Sequence, residues 1–234
     1  DANTDPYSDP DVGTDESNAN SMNGWNRQLQ TTLTSTIGES AYDIGHLFGH
    51  AGGGGNAGCI GCVCVDGNKG SAYTSPSNGI PEGDRFDLDF VIHEIGHQMG
   101  ANHTWSFKNE SSNNVQSEPG SGSTIMAYAG IPEMDIVQLH SDPYFHYHSI
   151  KQILDNLKSK NCQTKTIISN NFPSANAGPD YTIPQGTPYI LKGSASDSDN
   201  DNLSYTWEQT DSGVVSSANF SSDLTSGSIN RSLP

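Results

Sequence analysis

Positive charge is what this chain has least of. Only 10 Lys and Arg stand against 27 Asp and Glu, a formal net charge of −17 at pH 7, which argues against nucleic acid or an anionic membrane as a partner. Apolar residues are scarce too, at 32%, so cores are expected to be lean and loops many. No apolar run nears the length of a membrane span, and membrane insertion is not expected. The opening Asp1-Ala2-Asn3 lacks the basic and apolar regions of a secretory leader, so the chain reads as a processed or trimmed piece of a larger precursor. Cysteines number four: Cys59, Cys62, Cys64 and Cys162, with three full pairings open to them. Their clustering does not suit zinc, and disulfides are the simpler account. Any bridge implies an oxidising setting, secreted or at the cell surface. A length of 234 residues suits one main core plus a smaller module.

One run carries chemistry. His93-Glu94-Ile95-Gly96-His97-Gln98-Met99-Gly100-Ala101-Asn102-His103 spells H-E-x-x-H-x-x-G-x-x-H. Residues four apart share a helix face, so His93 and His97 can aim two imidazoles at one ion. Glu94, one position round, reaches a water at that ion and would serve as general base. Gly100 can take the helix-ending conformation that turns the chain back, and His103 then completes three ligands with a fourth tetrahedral position open to solvent. A Gly and a third His at fixed offsets make an accidental match roughly a thousandfold rarer than the bare pentapeptide.

The extended motif resembles that of the metzincin zinc endopeptidases, and Ser123-Thr124-Ile125-Met126-Ala127-Tyr128 fits their methionine turn. Within that clan the chain looks most like bacterial reprolysin-like (adamalysin-like) members, over roughly residues 1–165. The resemblance implies an α+β fold, a metzincin-type zincin catalytic domain with a mixed sheet, an active-site helix and a C-terminal helix. It implies a catalytic Zn2+ on His93, His97 and His103, with Met126 as an apolar floor that does not bind it. Ala41-Tyr42-Asp43-Ile44-Gly45-His46-Leu47-Phe48 resembles the substrate-side edge strand, so Gly45, His46, Leu47 and Phe48 are expected to pair with substrate, and Ala129, Gly130 and Ile131 to wall a selectivity pocket. The family pairs a cysteine ahead of the active helix with one after the last helix, which selects Cys64 with Cys162. Cys59 and Cys62 are left as a local ring or as free thiols. Adamalysins proper carry Asp after the third histidine, where this chain has Thr104. A tyrosine two residues past the methionine is shared with astacins and serralysins, where it ligates zinc and stabilises the tetrahedral intermediate. Tyr128 is therefore a second catalytic candidate, with simple packing or pocket lining as the alternative.

Along the chain, the acidic stretch 1–16 reads as a loop that Ca2+ could tie down or that is merely solvated. Met22, Trp25, Leu29, Leu33 and Ile37 recur at helical spacing, predicting a helix over about 17–37 stopped by Gly38. Residues 42–48 read as a strand, the Gly52–Gly55 run as a mobile loop without the partner residues of a phosphate loop, and 58–73 as short β segments. Asp84 is the expected cap of the active helix, which buries Leu88, Val91, Ile92, Ile95 and Met99. Residues 104–122 read as a polar loop. The last helix is expected from Ser141 or Asp142 with Pro143 at its first position, burying Ile150, Ile153, Leu154 and Leu157. His140, His146 and His148 read as surface or supporting residues rather than ligands. A linker is expected at 166–176. Residues 177–234 resemble a truncated PKD or Ig-like β-sandwich with strands at 181–183, 189–192 and 203–208; there Asp197, Asp199 and Asp201 read as a polar turn rather than a calcium loop.

The expected function is that of a secreted zinc endopeptidase acting on protein or peptide substrates, as a monomer or with a separate N-terminal fragment supplying the strands that normally precede the first helix. The alternative is a non-catalytic adhesion or binding protein with a vestigial metal site. The intact Glu94 and full histidine set weigh against that. Three imidazoles also suit copper or nickel.

Overall fold

The computed structural model describes residues 21–49, 53–76, 78–107, 112–131, 135–184, 187–212, 221–223 and 230–232. The acidic stretch 1–16 and the expected side-chain role of Met22 lie outside that description. Helix α1 (Ser21–Thr36) buries Trp25 and Leu29 against a small mixed sheet, and Gly38, at φ 87°, ends it. The sheet has the order β1-β3-β2: β1 (His46–Phe48) runs parallel and β2 (Gly54–Asn56) antiparallel to the central β3 (Ala72–Ser75). Every residue of β3 is buried, and the Tyr73 ring meets Trp25 edge-on at 5.0 Å.

The active helix starts with a single turn, α2 (Asp84–Phe86), widens through a π-helical turn over Asp87–Val91, and continues as α3 (Ile92–Met99). Gly83 stands at its N-cap, so Asp84 is the first helical residue rather than the cap. Along α3 the buried side chains are not the apolar stripe but His93, Glu94, His97 and Gln98, because the Met-turn covers His93, β2 covers Glu94 and the start of β1 covers Gln98. The core beneath joins Ala101, Ile125 and Met126, with Ile92, Phe145 and Ile153 packed against it. A Cβ on Gly96 would collide with Met126 Sδ; the bare glycine lets the methionine reach the helix backbone.

Several expectations are corrected. Strand pairing begins only at His46, after a 3₁₀ turn at Glu39–Ala41. The glycine run expected to be a loop supplies β2: Gly54 pairs with Ser75, Gly55 with Thr74 and Asn56 with Tyr73. Residues 58–70 are turns, tied by Cys59–Cys62 and by Cys64–Cys162, whose Cα atoms are 5.9 and 5.6 Å apart. The last helix, α4 (Tyr147–Lys158), starts later than expected because the His146 ring accepts the His148 N–H and caps it. Ile150 and Leu154 are about half exposed on it, since only the Ile153 face meets the core.

Past α4 the three expected strands at 181–183, 189–192 and 203–208 are absent from the described residues. The pairing observed is β4 (Ser174–Asn176) with β5 (Ser194–Ser196) and β6 (Ser221–Asp223) with β7 (Asn230–Ser232). Tyr181, Ile190 and Tyr205 stay exposed, and two-stranded pairs have no second layer against which to bury such side chains. Asp197 Oδ1 accepts the N–H groups of Asp199 and Asp201, a turn closed by its own side chain. Among the described residues no helix is long and apolar enough to cross a membrane.

Candidate metal centre and cleft

Helical spacing places His93 and His97 one turn apart on α3, their rings 4.8 Å between centroids. Gly100, at φ 124°, ends the helix. Its N–H donates to the carbonyls of Gly96 and His97. From α4, Gln152 accepts the Asn102 N–H and Asn156 Nδ2 donates to Met99 O. The chain so turned carries His103 back, and its ring lies 4.7 Å from that of His97 and 5.2 Å from that of His93.

The ring nitrogens divide cleanly. His93 Nδ1–H donates to Ile125 O and His97 Nδ1–H to Ala101 O, both at 2.7 Å. A carbonyl only accepts, so each neutral ring keeps its lone pair on Nε2. His97 Nε2 and His103 Nε2 face each other at 3.0 Å, and one ligand atom from each of the three rings lies within 4.8 Å of the others. Tetrahedral zinc–imidazole bonds of 2.0–2.1 Å place neighbouring nitrogens about 3.3 Å apart, so the residues fit a zinc ion. Burial, reinforced by the other two rings, holds His93 well below the ordinary imidazole pKa, and burial likewise lowers His97. His103 falls to about 3, by burial and then by His97. Unprotonated imidazole is the form that binds a metal.

Glu94 is 7% exposed. Burial pushes its carboxyl up to about 8, opposed by a backbone hydrogen bond from Ala57; a dication on the neighbouring rings would favour the ionised form. Gly55 of β2 lies directly over it, and a Cβ there would stand 2.5 Å from Glu94 Cγ. Met126 is fully buried under Gly96. The Tyr128 ring is 4.5 Å from His103 and stacks at 5.2 Å on Trp105, an aromatic partner the sequence did not single out.

Two cavities flank the rings. One, about 240 Å³, adjoins His93 and Glu94 and is walled by Phe90, Ala129, Gly130, Ile131 and Leu139. Another, about 260 Å³, adjoins His97 and His103 and is bordered by Ala57, Gly58, Cys59 and Ile60. Both include Gly55. The strand that borders both cavities is β2, whereas Gly45, His46, Leu47 and Phe48, expected to pair with substrate, border neither. β1 lies across β3 from β2. His46 is engaged behind the helix, with Nδ1 at 3.0 Å from Gln98 Oε1 and Nε2 at 2.8 Å from Thr74 Oγ1, while Gln98 donates to Gly45 O. Phe48 is 61% exposed and meets Phe86. No periodicity could have revealed β2, because its glycines have no side chains to alternate.

Residues 2–157 match the family described as Metallo-peptidase family M12B, Reprolysin-like. The chain belongs to that family. No curated protein and no solved structure matches it. As a reprolysin-like metallopeptidase it is a zinc-dependent protease acting on protein or peptide substrates, and the reprolysin-like match takes in the whole histidine cluster and the Met-turn. Of the described histidines outside the cluster, His140 meets Asp89 at 3.1 Å, and His148 Nε2 lies 2.9 Å from Thr210 O.

Proposed function

We propose that this reprolysin-like domain is a secreted endopeptidase that cleaves internal peptide bonds of extended polypeptides, with His93, His97 and His103 as the zinc ligands and Glu94 as general base. The observation that carries the reading is the convergence of three lone-pair-bearing imidazoles beside a buried carboxylate in an open cleft. Zinc held there supplies Lewis acidity, which polarises a carbonyl and makes a water acidic near neutral pH. Glu94 takes the proton of the attacking water and hands it to the departing amine. Tyr128, beside His103, donates its hydroxyl to the developing oxyanion.

Substrate lies extended along β2, whose outer edge has no strand neighbour among the described residues, so main-chain hydrogen bonds there accept many sequences. Selectivity comes from the cavity beside Glu94, where Phe90, Ile131 and Leu139 favour an apolar side chain. The two disulfides and the acidic composition support an extracellular setting.

Glu94→Gln should keep zinc binding and abolish cleavage of a denatured protein. A chelator should silence the wild type and added zinc restore it. Cleavage by the variant at the wild-type rate would discard the assignment of Glu94. The rival adhesion reading predicts no cleavage by either protein.

A further inference from the structure

Glu118 is 1% exposed, and among the described residues it forms no ion pair with a Lys, Arg or His. Burying a carboxylate without a counter-charge costs several kcal/mol unless hydrogen-bond donors surround it. Four do. Oε1 accepts the N–H groups of Ser123 and Thr124, both at 3.0 Å; Oε2 accepts Thr124 Oγ1 at 2.6 Å and the hydroxyl of Thr104.

The origin of those donors is what matters. Thr104 follows His103 directly, and Ser123 and Thr124 open the Met-turn. Thr104 also donates its N–H to Met126 O at 3.1 Å, and its carbonyl accepts the Ser117 and Glu118 N–H groups. Gln116 Nε2 donates to His103 O. Next to Thr124, Ile125 offers the carbonyl that holds the His93 ring by Nδ1. One carboxylate thus joins the segment that delivers His103 to the turn that orients His93.

We propose that Glu118 is a positioning residue that sets the placement of the His93 and His103 rings and thereby the zinc affinity of the site. The inference rests on the reading that the three histidines hold zinc. Groups that support metal ligands typically change affinity by about 10- to 100-fold when removed. Glu118 acts through backbone and hydroxyl donors rather than by touching a ligand ring. A glutamine would serve nearly as well: its oxygen accepts the two N–H groups, and the threonine hydroxyls rotate to accept from its amide.

The test measures the zinc dissociation constant by competition with a chromophoric chelator, for wild type, Glu118→Ala, Glu118→Gln and Thr104→Val, with thermal melts of metal-free and zinc-loaded protein. Glu118→Ala should weaken zinc binding at least tenfold, Thr104→Val several-fold, and Glu118→Gln by less than threefold. If Glu118→Ala does not fold, Thr104→Val decides, because it removes one bond and leaves the Met-turn contacts in place. Zinc affinities within twofold of wild type in folded Glu118→Ala or Thr104→Val, with only the melting temperature lowered, would overturn the proposal. So would a loss in Glu118→Gln as large as in Glu118→Ala. A wild type that takes up no zinc would instead overturn the three-histidine reading, and this inference with it.

Discussion

Gly55 sits against Glu94 so closely that a single added methyl would stand 2.5 Å from Cγ and 2.6 Å from Oε1 of the carboxylate. The glycine run that reads as mere mobility therefore lets a strand pass directly above the carboxylate proposed as general base. Gly55→Ala should displace Glu94 and lower kcat/KM at least tenfold, since small misplacements of a catalytic group cost about 10²-fold. Zinc content, measured by elemental analysis, should stay at the wild-type value. Wild-type turnover would show that the strand yields.

Tyr128 packs between His103 and Trp105, which restricts its ring to the edge of the site. Tyr128→Phe keeps that packing and removes only the hydroxyl. Steady-state kinetics should show kcat reduced by about 10²-fold, the scale of one oxyanion donor, with KM little changed. An unaltered kcat would assign the ring to packing alone.

Burial gives the metal-free protein a characteristic pH profile. His46, His93, His97 and His103 all lie below the ordinary imidazole value of 6.5. Their folded pKa values are depressed, so their stabilising contribution is complete above 6.5 and is lost as pH falls, at no more than about 1.4 kcal/mol per pH unit for each. Glu94 runs the other way. Its pKa rises from 4.5 to about 8, so its contribution is complete below 4.5 and is lost as pH rises towards 8. Unfolded histidines are still half protonated at pH 6.5, so four of them outweigh one carboxylate up to about pH 7, and from there towards 8 Glu94 tilts the curve. Urea midpoints measured in chelator should therefore peak near about pH 7, and Glu94→Gln should flatten the alkaline side. A wild-type midpoint that keeps rising up to about pH 8 would contradict the burial of Glu94.

The Cys64–Cys162 bridge spans 98 positions, joining the turns ahead of the active helix to the end of α4. Replacing both cysteines with serine should cost about 2–5 kcal/mol, read as a lower urea midpoint. Because Gln152 and Asn156 of α4 brace the turn around Gly100, zinc should also dissociate more readily from the doubly substituted protein. Equal stability with and without the bridge would mean that α4 docks without covalent help.

The sequence by itself determined the histidine cluster and the carboxylate beside it. His93, Glu94 and His97 are spaced by the pitch of one helix, and Gly100 turns the chain within three residues, so short-range geometry points His103 back towards them, and contacts from α4 and from Gln116 then hold that turn. The stripe through Trp25 and Leu29 was equally legible, since burial of one helix face leaves a period. Only the tertiary structure decided that Gly54–Asn56, and not the strand at His46, borders the cleft, because glycine shows no alternation and which edge lies over Glu94 is a matter of packing. It alone showed that residues 115–122 of the polar stretch, with Thr104 and Ser106, are interior, since Thr104, Ser117 and Glu118 are made fit for burial by partners that a linear pattern does not record. The segments at 181–183, 189–192 and 203–208 carry strand-like alternation yet form no strands there, because pairing requires a neighbour that local composition cannot supply.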